Sequence, residues 1–328
     1  MSHSQIINFN QTSKKVKLIE VYSDIAGSKK GASLGIEALK KTSKDIDSKF
    51  FQKFLSESIK DENNAHDIQS EHKNAKYIDK VFLVISRLAS RVKKLREEDF
   101  FPIILSGDHA SCAGTMHGIK MAHPNEEVGV VYIDAHADIH SPYTSDSGNL
   151  HGMPLAMVCN LDNKESMKNN ISRDELYYWE KLKSLSGDKP AIKPHNIVFC
   201  ALRDFEQVEQ DIIDANNINV YTVEDITLKG IESCVKNIYK NLSHCDHIYI
   251  SFDVDSVDPL YIPGTGTPSS GGLSYDQALQ LNLELIKNKK VCCWEIAEMN
   301  PLYSTSEEDS IKVFNLLEKV TQMLIKNY

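Results

Sequence analysis

The chain has 328 residues, of which 41% are hydrophobic and 25% are charged, a composition typical of a globular protein with a large core. Its net charge of −9 at pH 7 and its lack of a basic block argue against nucleic acid or an anionic membrane as a partner. No apolar run approaches the roughly 20 residues of a membrane span, so we expect a cytoplasmic protein.

The predicted elements begin with a strand over 16–22, a helix over 32–41 and a polar, exposed excursion over 43–75. A long helix follows, with apolar residues at helical spacing over 78–97. Apolar runs then predict strands over 101–105 and 128–133. Residues 161–195 are polar and indicate an insertion that could rim a site, with the aromatic residues at 177–179 expected to pack against a helix.

Strands and helices alternate regularly in the rest of the chain. The remaining predicted strands are 197–201, 219–222, 247–252 and 291–296. The remaining predicted helices are 205–217, 230–242, 274–288 and 306–326. This alternation, with apolar strands, predicts an α/β fold with three layers (α/β/α), a mostly parallel central sheet and a single domain over 1–328.

Two further features agree with a cytoplasmic protein. Residues 1–11 are polar and lack the apolar centre of a signal peptide. The seven cysteines are scattered without Cys-x-x-Cys spacing, so we interpret them as reduced core residues. Adjacent Cys292 and Cys293 would point to opposite faces of a strand, which disfavours a redox pair.

Residues of the types that bind metals follow three of the predicted strands. They are His109; Asp134, His136 and Asp138; and Asp253 and Asp255. Alternate side chains of an extended strand share a face, so Asp-x-His-x-Asp and Asp-x-Asp would each aim at one point. Each segment alone could be an ordinary turn or N-cap. Because the carboxyl ends of parallel strands form the ligand crevice of open α/β sheets, the three together predict one metal site.

Charge and ligand chemistry then predict the metal. Four carboxylates crowded into one site would repel one another and raise one another's pKa values. Two divalent cations would balance these four negative charges. A ligand set that is mostly oxygen with some imidazole suits Mn²⁺ better than Zn²⁺ or Ca²⁺, so we expect two Mn²⁺ ions.

Five sequence blocks, in this order, resemble the arginase family of Mn²⁺ ureohydrolases. They are 107–109; 134–138; 147–152; 251–255 with Asp258-Pro259; and 264–268 followed by 271–273. The segment Glu298-Met299-Asn300-Pro301 is similar to the last motif of the family. The resemblance implies an arginase-like fold, a binuclear manganese centre, a small guanidino compound as the substrate and a homo-oligomeric state.

The resemblance also implies roles in catalysis. A water that bridges the two ions would attack the guanidinium carbon as hydroxide, and Asp138 would take its proton. Glu298 would hold the guanidinium by charge-assisted hydrogen bonds, with Thr267 beside it. His151 would carry a proton to the leaving amine. A structural role for His151, or a simple tight turn around Thr267, is the alternative.

Substrate recognition is where the sequence departs from the family pattern. The segment 147–152 looks more like that of arginases than that of agmatinases, and we expect Ser147 and Asn149 in it to contact the substrate. In arginases the Ser and a separate Asn bind the substrate's α-carboxylate, and an Asp meets its α-amino group. Here His140 stands at the position of that Asn and Glu206 at that of the Asp. Both can still make the corresponding hydrogen bonds.

Three functions follow from these features. The leading one is hydrolysis of L-arginine to L-ornithine and urea. His140 and Glu206 favour as an alternative a ureohydrolase for another guanidino compound, such as agmatine or a guanidino acid. A catalytically silent, metal-bound regulatory protein is a third possibility, but it would not need the intact set of proposed ligands and catalytic residues.

Overall fold

The computed structural model describes residues 15–327 and contains one eight-stranded sheet whose paired strands are all parallel. The strands are β1 (Lys15–Val21), β2 (Ser56–Ile59), β3 (Phe100–Ser106), β4 (Val128–Ile133), β5 (Ile197–Cys200), β6 (Asn219–Tyr221), β7 (His247–Asp253) and β8 (Val291–Ala297). Their order across the sheet is β2-β1-β3-β8-β7-β4-β5-β6. The segment 1–11, which we expected not to be a signal peptide, lies outside the described residues.

Helices cover both faces of this sheet. They are α1 (Gly35–Asp45), α2 (Phe50–Lys53), α3 (Ile78–Glu97), α4 (Ser111–Ala122), α5 (Pro154–Cys159), α6 (Arg173–Lys183), α7 (Gln207–Ala215), α8 (Val223–Lys229), α9 (Ile231–Asn241), α10 (Tyr275–Leu285) and α11 (Glu308–Lys326). Helices α3 to α7 contribute to one apolar core, and α1, α2 and α8 to α11 contribute to the other. The predicted α/β/α architecture is confirmed.

The strands are buried on both faces because helices cover both. On β7, Tyr249 joins one core whereas Ile248 and Ile250 join the other, as the alternation of side chains along a strand requires. All seven predicted strands occur, with ends within one residue of those expected. The seven cysteines are free and buried, which agrees with the prediction for them. None of the helices within residues 15–327 is long and apolar enough to cross a bilayer.

Some elements escaped prediction for identifiable physical reasons. The excursion 43–75 contains the edge strand β2, whose four residues are mostly polar and largely accessible. The segment 161–195 contains α6, which begins with a capping box formed by Ser172 and Glu175. Helix α4 is buried all round from Ser111 to Ile119, so it has no polar face to give a helical periodicity.

Helices α3 and α4 approach each other closely through two glycines of α4. A methyl group on Gly118 would lie 2.6 Å from both the Ala89 carbonyl oxygen and the Val92 Cβ of α3. One on Gly114 would lie 2.9 Å from the Ile85 carbonyl oxygen. Because these contacts involve backbone and branched side chains, the helices could not yield without moving apart.

We expect Gly118→Ala to lower the free energy of unfolding by about 1–3 kcal/mol, the usual cost of overpacking a core. The intrinsic helix preference for alanine opposes this effect by only about 1 kcal/mol. Ser90→Ala, on the exposed side of α3, is the matched control and should leave stability nearly unchanged. Urea denaturation of both variants measures the difference, and a stabilised Gly118→Ala protein would contradict the close packing.

Candidate active site

The proposed metal ligands lie at or just beyond the carboxyl ends of three central strands, β3, β4 and β7. These strands and β8 are neighbours in the sheet, so their ends meet at one edge. We expected alternate side chains of extended strands to bring these residues together. This prediction is wrong in one respect, because the residues after Asp134 and Asp253 are not extended. The Oδ1 of Asp134 accepts a hydrogen bond from the backbone N–H of His136 at 2.7 Å. The Oδ1 of Asp253 accepts one from Asp255 at 2.8 Å.

Side chains that bind the backbone two residues on form Asx turns, and here the turns fix the ligand spacing. In each turn one carboxylate oxygen is held by the backbone. The other oxygen is left to face the cluster: Oδ2 of Asp134 and Oδ2 of Asp253 both approach His109. The residue between Asp134 and His136 and the residue between Asp253 and Asp255 therefore lie in turns and not in extended strand.

The first cluster surrounds His109. Its Nδ1 lies 2.9 Å from Asp134 Oδ2, 3.0 Å from Asp253 Oδ2 and 3.3 Å from Asp138 Oδ2. Potential ligand atoms of His109, Asp134 and Asp138 lie within 4.8 Å of one another. The ring stacks on Tyr132 with 4.7 Å between centroids, and the Tyr132 hydroxyl donates to Asp138 Oδ2 at 2.8 Å.

The second cluster comprises Asp134, His136 and Asp255, whose potential ligand atoms also lie within 4.8 Å of one another. His136 Nδ1 is 3.1 Å from Asp255 Oδ2 and 3.5 Å from Asp134 Oδ1. Asp255 Oδ2 also accepts a hydrogen bond from Thr267 Oγ1 at 3.1 Å. Asp134 belongs to both clusters and could bridge two ions.

The carboxylates need cations that the protein's own residues do not fully supply. Burial and the nearby Asp255 and Asp138 raise the pKa of Asp134 to about 6. Burial, Asp255 and Asp134 raise the pKa of Asp253 well above its ordinary range. The Oδ2 of Asp134 is buried and has no hydrogen-bond partner among residues 15–327, since its contact with His109 lacks hydrogen-bonding geometry. An orphaned carboxylate oxygen beside a histidine fits a bound divalent cation.

The two histidines proposed as ligands each have a second ring nitrogen near another polar side chain, as in many metal sites. His109 Nε2 lies 2.7 Å from the Ser251 hydroxyl, and His136 Nε2 lies 3.7 Å from Asp204 Oδ2. Ser251 in turn accepts from the Tyr249 hydroxyl at 3.1 Å. The Nδ1 atoms are thereby aimed at the acidic clusters.

Glu298 follows β8 and lies beside the clusters. Its Oε1 accepts a hydrogen bond from the backbone N–H of His109 at 3.0 Å and lies 3.2 Å from His151 Nδ1. Burial disfavours the charged form of His151, but the contact with Glu298 raises its pKa overall. Glu298 and Asp138 have φ angles of 64° and 50°, which are uncommon for residues other than glycine. Such conformations often occur at functional sites.

A cavity of about 240 Å³ opens onto these residues. It is lined by His109, His136, Asp138, His140, His151, Gly152, Asp204, Phe205, Glu206, Glu209, Asp253, Asp255, Thr267 and Glu298. The structure therefore brings five of the six proposed ligands to one cavity wall, together with all three proposed catalytic residues. Asp134, the sixth ligand, lies behind them, almost fully buried.

The residues expected to hold the rest of the substrate are only partly brought together. His140 and Glu206 line the cavity, and His140 Nε2 lies 3.7 Å from Glu206 Oε1. Ser147 is exposed and outside the cavity lining. Asn149 lines a neighbouring cavity of about 390 Å³ and accepts a hydrogen bond from Lys76 at 3.2 Å. Lys168, 3.4 Å from Glu206 Oε2, places the segment 161–195 at the rim.

Sequence reasoning missed Glu209, a largely buried acid in the cavity wall. Its Oε2 lies 3.5 Å from His140 Nε2 and accepts from the backbone N–H of Glu206 at 3.0 Å. Burial is the main cause of its raised pKa. The available signal was the Glu-x-x-Glu spacing at the start of α7, where Glu206 and Glu209 form a capping box.

Arg203 is a second residue whose role was not foreseen. Its guanidinium donates hydrogen bonds to backbone carbonyls, including Asp255 at 2.8 Å, Ser269 at 2.7 Å and Ser270 at 3.1 Å. These hydrogen bonds from the guanidinium connect the turn at Asp255 to the loop that precedes α10. No spacing in the sequence distinguishes this use of an arginine from pairing with a carboxylate.

The Arginase family model matches residues 14–321. The chain is 33% identical over 235 residues to the arginase of Bacillus subtilis (strain 168), covering 71% of this chain and 73% of that one. It is 32% identical over 257 residues to the arginase of Staphylococcus aureus (strain COL), covering 77% and 78%.

Among solved structures, Entamoeba histolytica arginase in complex with L-ornithine aligns with a TM-score of 0.78 and 28% identity, covering 96% of this chain and 99% of that one. These similarities span the sheet and the residues around the cavity. The chain belongs to the arginase family, whose members are metal-dependent hydrolases of guanidino and amidine compounds.

Proposed function

We propose that this protein hydrolyses L-arginine to L-ornithine and urea with two Mn²⁺ ions. The observation that carries the proposal is a single cavity lined by the ligand histidines, by Glu298 and His151, and also by His140, Glu206 and Glu209. Such a cavity offers a guanidinium site beside the metal clusters and polar groups for an amino acid's α-amino and carboxylate groups. The L-ornithine bound to the similar Entamoeba histolytica arginase supports this choice.

His109, Asp134, Asp138 and Asp253 would hold one ion, and Asp134, His136, Asp253 and Asp255 would hold the other. The oxygen-rich donors fit Mn²⁺, and two ions would balance the four carboxylates. The bound ions would supply a water of lowered pKa at neutral pH.

The remaining chemistry belongs to the side chains. Glu298 would accept hydrogen bonds from the planar guanidinium and fix its carbon towards the clusters. Asp138 has a second oxygen free of the Tyr132 bond and would take a proton from the attacking water. His151, in contact with Glu298 and 17% exposed, would deliver a proton to the departing amine.

The α-amino group would meet Glu206 and Glu209, and the α-carboxylate would meet His140. Lys168 and His140 already lie near Glu206, so a substrate ammonium would share that carboxylate with them. Ser147 stays a predicted contact of the α-carboxylate, and Asn149 stays a predicted contact of the substrate. The second candidate substrate is a guanidino compound that lacks the α-amino or the α-carboxylate group. It is favoured because His140, at the position where the family has Asn, faces the two acidic residues Glu206 and Glu209.

Metal removal should abolish activity. We expect about two Mn²⁺ per chain by elemental analysis, full loss of urea release after chelation, and recovery with Mn²⁺. Asp253→Asn should bind less metal and lose activity together, because Asp253 Oδ2 lies 3.0 Å from His109 Nδ1 within the first cluster. Asp211→Asn, on the exposed side of α7, is the control and should keep both. Full turnover by rigorously metal-free protein would refute the metal dependence.

The proton-transfer role predicts a different result for His151. His151→Ala should keep its metal content while kcat falls by about 10²-fold, the low end of the range for a general acid or base. Metal content and kcat are measured on the same preparations as Asp253→Asn. If His151→Ala loses metal as Asp253→Asn does, His151 is a ligand and not a proton donor.

The choice of substrate tests the residues proposed to bind the α-amino and α-carboxylate groups. The unmodified protein should prefer arginine to agmatine by up to roughly 10⁴-fold in kcat/KM, because a missing carboxylate leaves buried polar groups unpaired. Glu206→Gln should raise KM for arginine by about tenfold or more, since a charge-assisted hydrogen bond contributes about 1.5–3 kcal/mol.

His140→Asn, which places the family's residue at that position, should retain arginine turnover, whereas His140→Ala should raise KM for arginine. Urea release from arginine, agmatine and guanidino acids by each variant is the measurement. A better rate with agmatine or a guanidino acid in the unmodified protein would overturn the choice of arginine and leave the family assignment intact.

A further inference from the structure

A second group of metal-type side chains lies at the opposite edge of the sheet. His123 directly follows α4, Glu126 lies in the turn that leads to β4, and His247 is the first residue of β7. Since β4 pairs with β7 and Val128 is opposite His247, the two segments are adjacent. The length of β7 separates His247 from Asp253 by about 20 Å, given roughly 3.3 Å per residue. This group is therefore separate from the proposed active site.

Three potential donor atoms converge on one point in this group. Glu126 Oε2 contacts His247 Nε2 and lies 3.4 Å from His123 Nδ1. Potential ligand atoms of the three residues lie within 4.8 Å of one another. The centroids of the two imidazole rings lie 3.9 Å apart, and the ring planes meet at an angle of 33°. Two imidazoles and one carboxylate are a donor set that Zn²⁺ accepts.

One ring nitrogen of His123 is left unused by the protein. Its Nε2 is buried and has no hydrogen-bond partner among residues 15–327. Within residues 15–327 no lysine or arginine forms an ion pair with the Glu126 carboxylate, and Lys120 donates instead to the Glu126 backbone carbonyl at 2.8 Å.

Backbone hydrogen bonds hold the two segments together. The N–H groups of Asp246 and His247 donate to the Glu127 carbonyl at 2.8 and 3.2 Å. The Glu127 N–H donates to Asp246 Oδ2 at 2.9 Å. The donor atoms are thus positioned before any ion binds, which lowers the entropic cost of binding.

We propose that His123, Glu126 and His247 form a peripheral site for a divalent transition-metal ion of the Zn²⁺ class. Water would complete the coordination, because three protein ligands leave a tetrahedral ion one open position. Two imidazoles and one carboxylate favour Zn²⁺ over Mn²⁺, which prefers oxygen-rich sites. The ion would join the end of α4 to the start of β7.

The test measures zinc directly and does not depend on activity. Mn²⁺-loaded protein is equilibrated with Zn²⁺, and bound zinc per chain is counted in the unmodified protein, in Glu126→Gln and in His247→Ala. We expect one equivalent more in the unmodified protein than in either variant, and an affinity at least about tenfold weaker in the variants. Glu126 is half-exposed, so Glu126→Gln should fold normally even if His247→Ala does not.

His195→Ala is the matched control. His195 is exposed and lies beside His244 with 6.1 Å between ring centroids, but among residues 15–327 these two belong to no group of three potential ligands. Its zinc content should equal that of the unmodified protein. Anomalous diffraction at the zinc edge should place a peak between His123 and His247. Equal zinc in Glu126→Gln and the unmodified protein, or a peak only at the acidic clusters, would overturn the proposal.

Discussion

The arrangement of the whole site depends on keeping four carboxylates together in a buried place. Desolvation and mutual repulsion raise the pKa of Asp134 to about 6 and that of Asp253 well above its ordinary range. Burial would do the same to Asp255, but His136 outweighs it and lowers the pKa of Asp255. The carboxylates therefore stay charged only where imidazoles, backbone N–H groups and bound cations meet them. The convergence of four central strand ends at one edge supplies the imidazoles and the backbone N–H groups, and bound cations would supply the rest.

The same constraint accounts for the unusual backbone around the cavity. Asp138 and Glu298 have positive φ angles, which cost an L-residue roughly 1–2 kcal/mol. Each is anchored by a hydrogen bond, from Leu155 N–H to the Asp138 carbonyl at 3.1 Å and from Glu298 N–H to the Gly107 carbonyl at 2.8 Å. Tertiary structure thus holds two carboxylates in positions that local preference disfavours, which is expected where function and not stability selects the geometry.

The sequence predicted the strands, and also that the acidic and histidine residues after them lie together, because both are local signals. An apolar run such as 128–133 is typical of a buried strand in a parallel sheet, and the acidic residues that follow it indicate where the strand ends. The sequence could not predict α4, which is buried all round, or Glu209, whose importance comes from facing His140 across a loop. It also placed Ser147 and Asn149 with the substrate, whereas their positions relative to the cavity depend on loop conformation, which periodicity does not encode.

Strand β7 carries donors at both ends, and the two ends differ in chemistry. Asp253 contributes to oxygen-rich clusters that suit a hard ion, whereas His247 belongs to a group that suits Zn²⁺. The register between β7 and β8 shifts between Ile248 and Tyr249, one residue beyond His247. A bulge of this kind disrupts the hydrogen-bond ladder locally and bends the strand. Since about 20 Å separate His247 from Asp253, an ion bound at His247 would stabilise the junction of α4 and β7, and we expect its effect on turnover to be small.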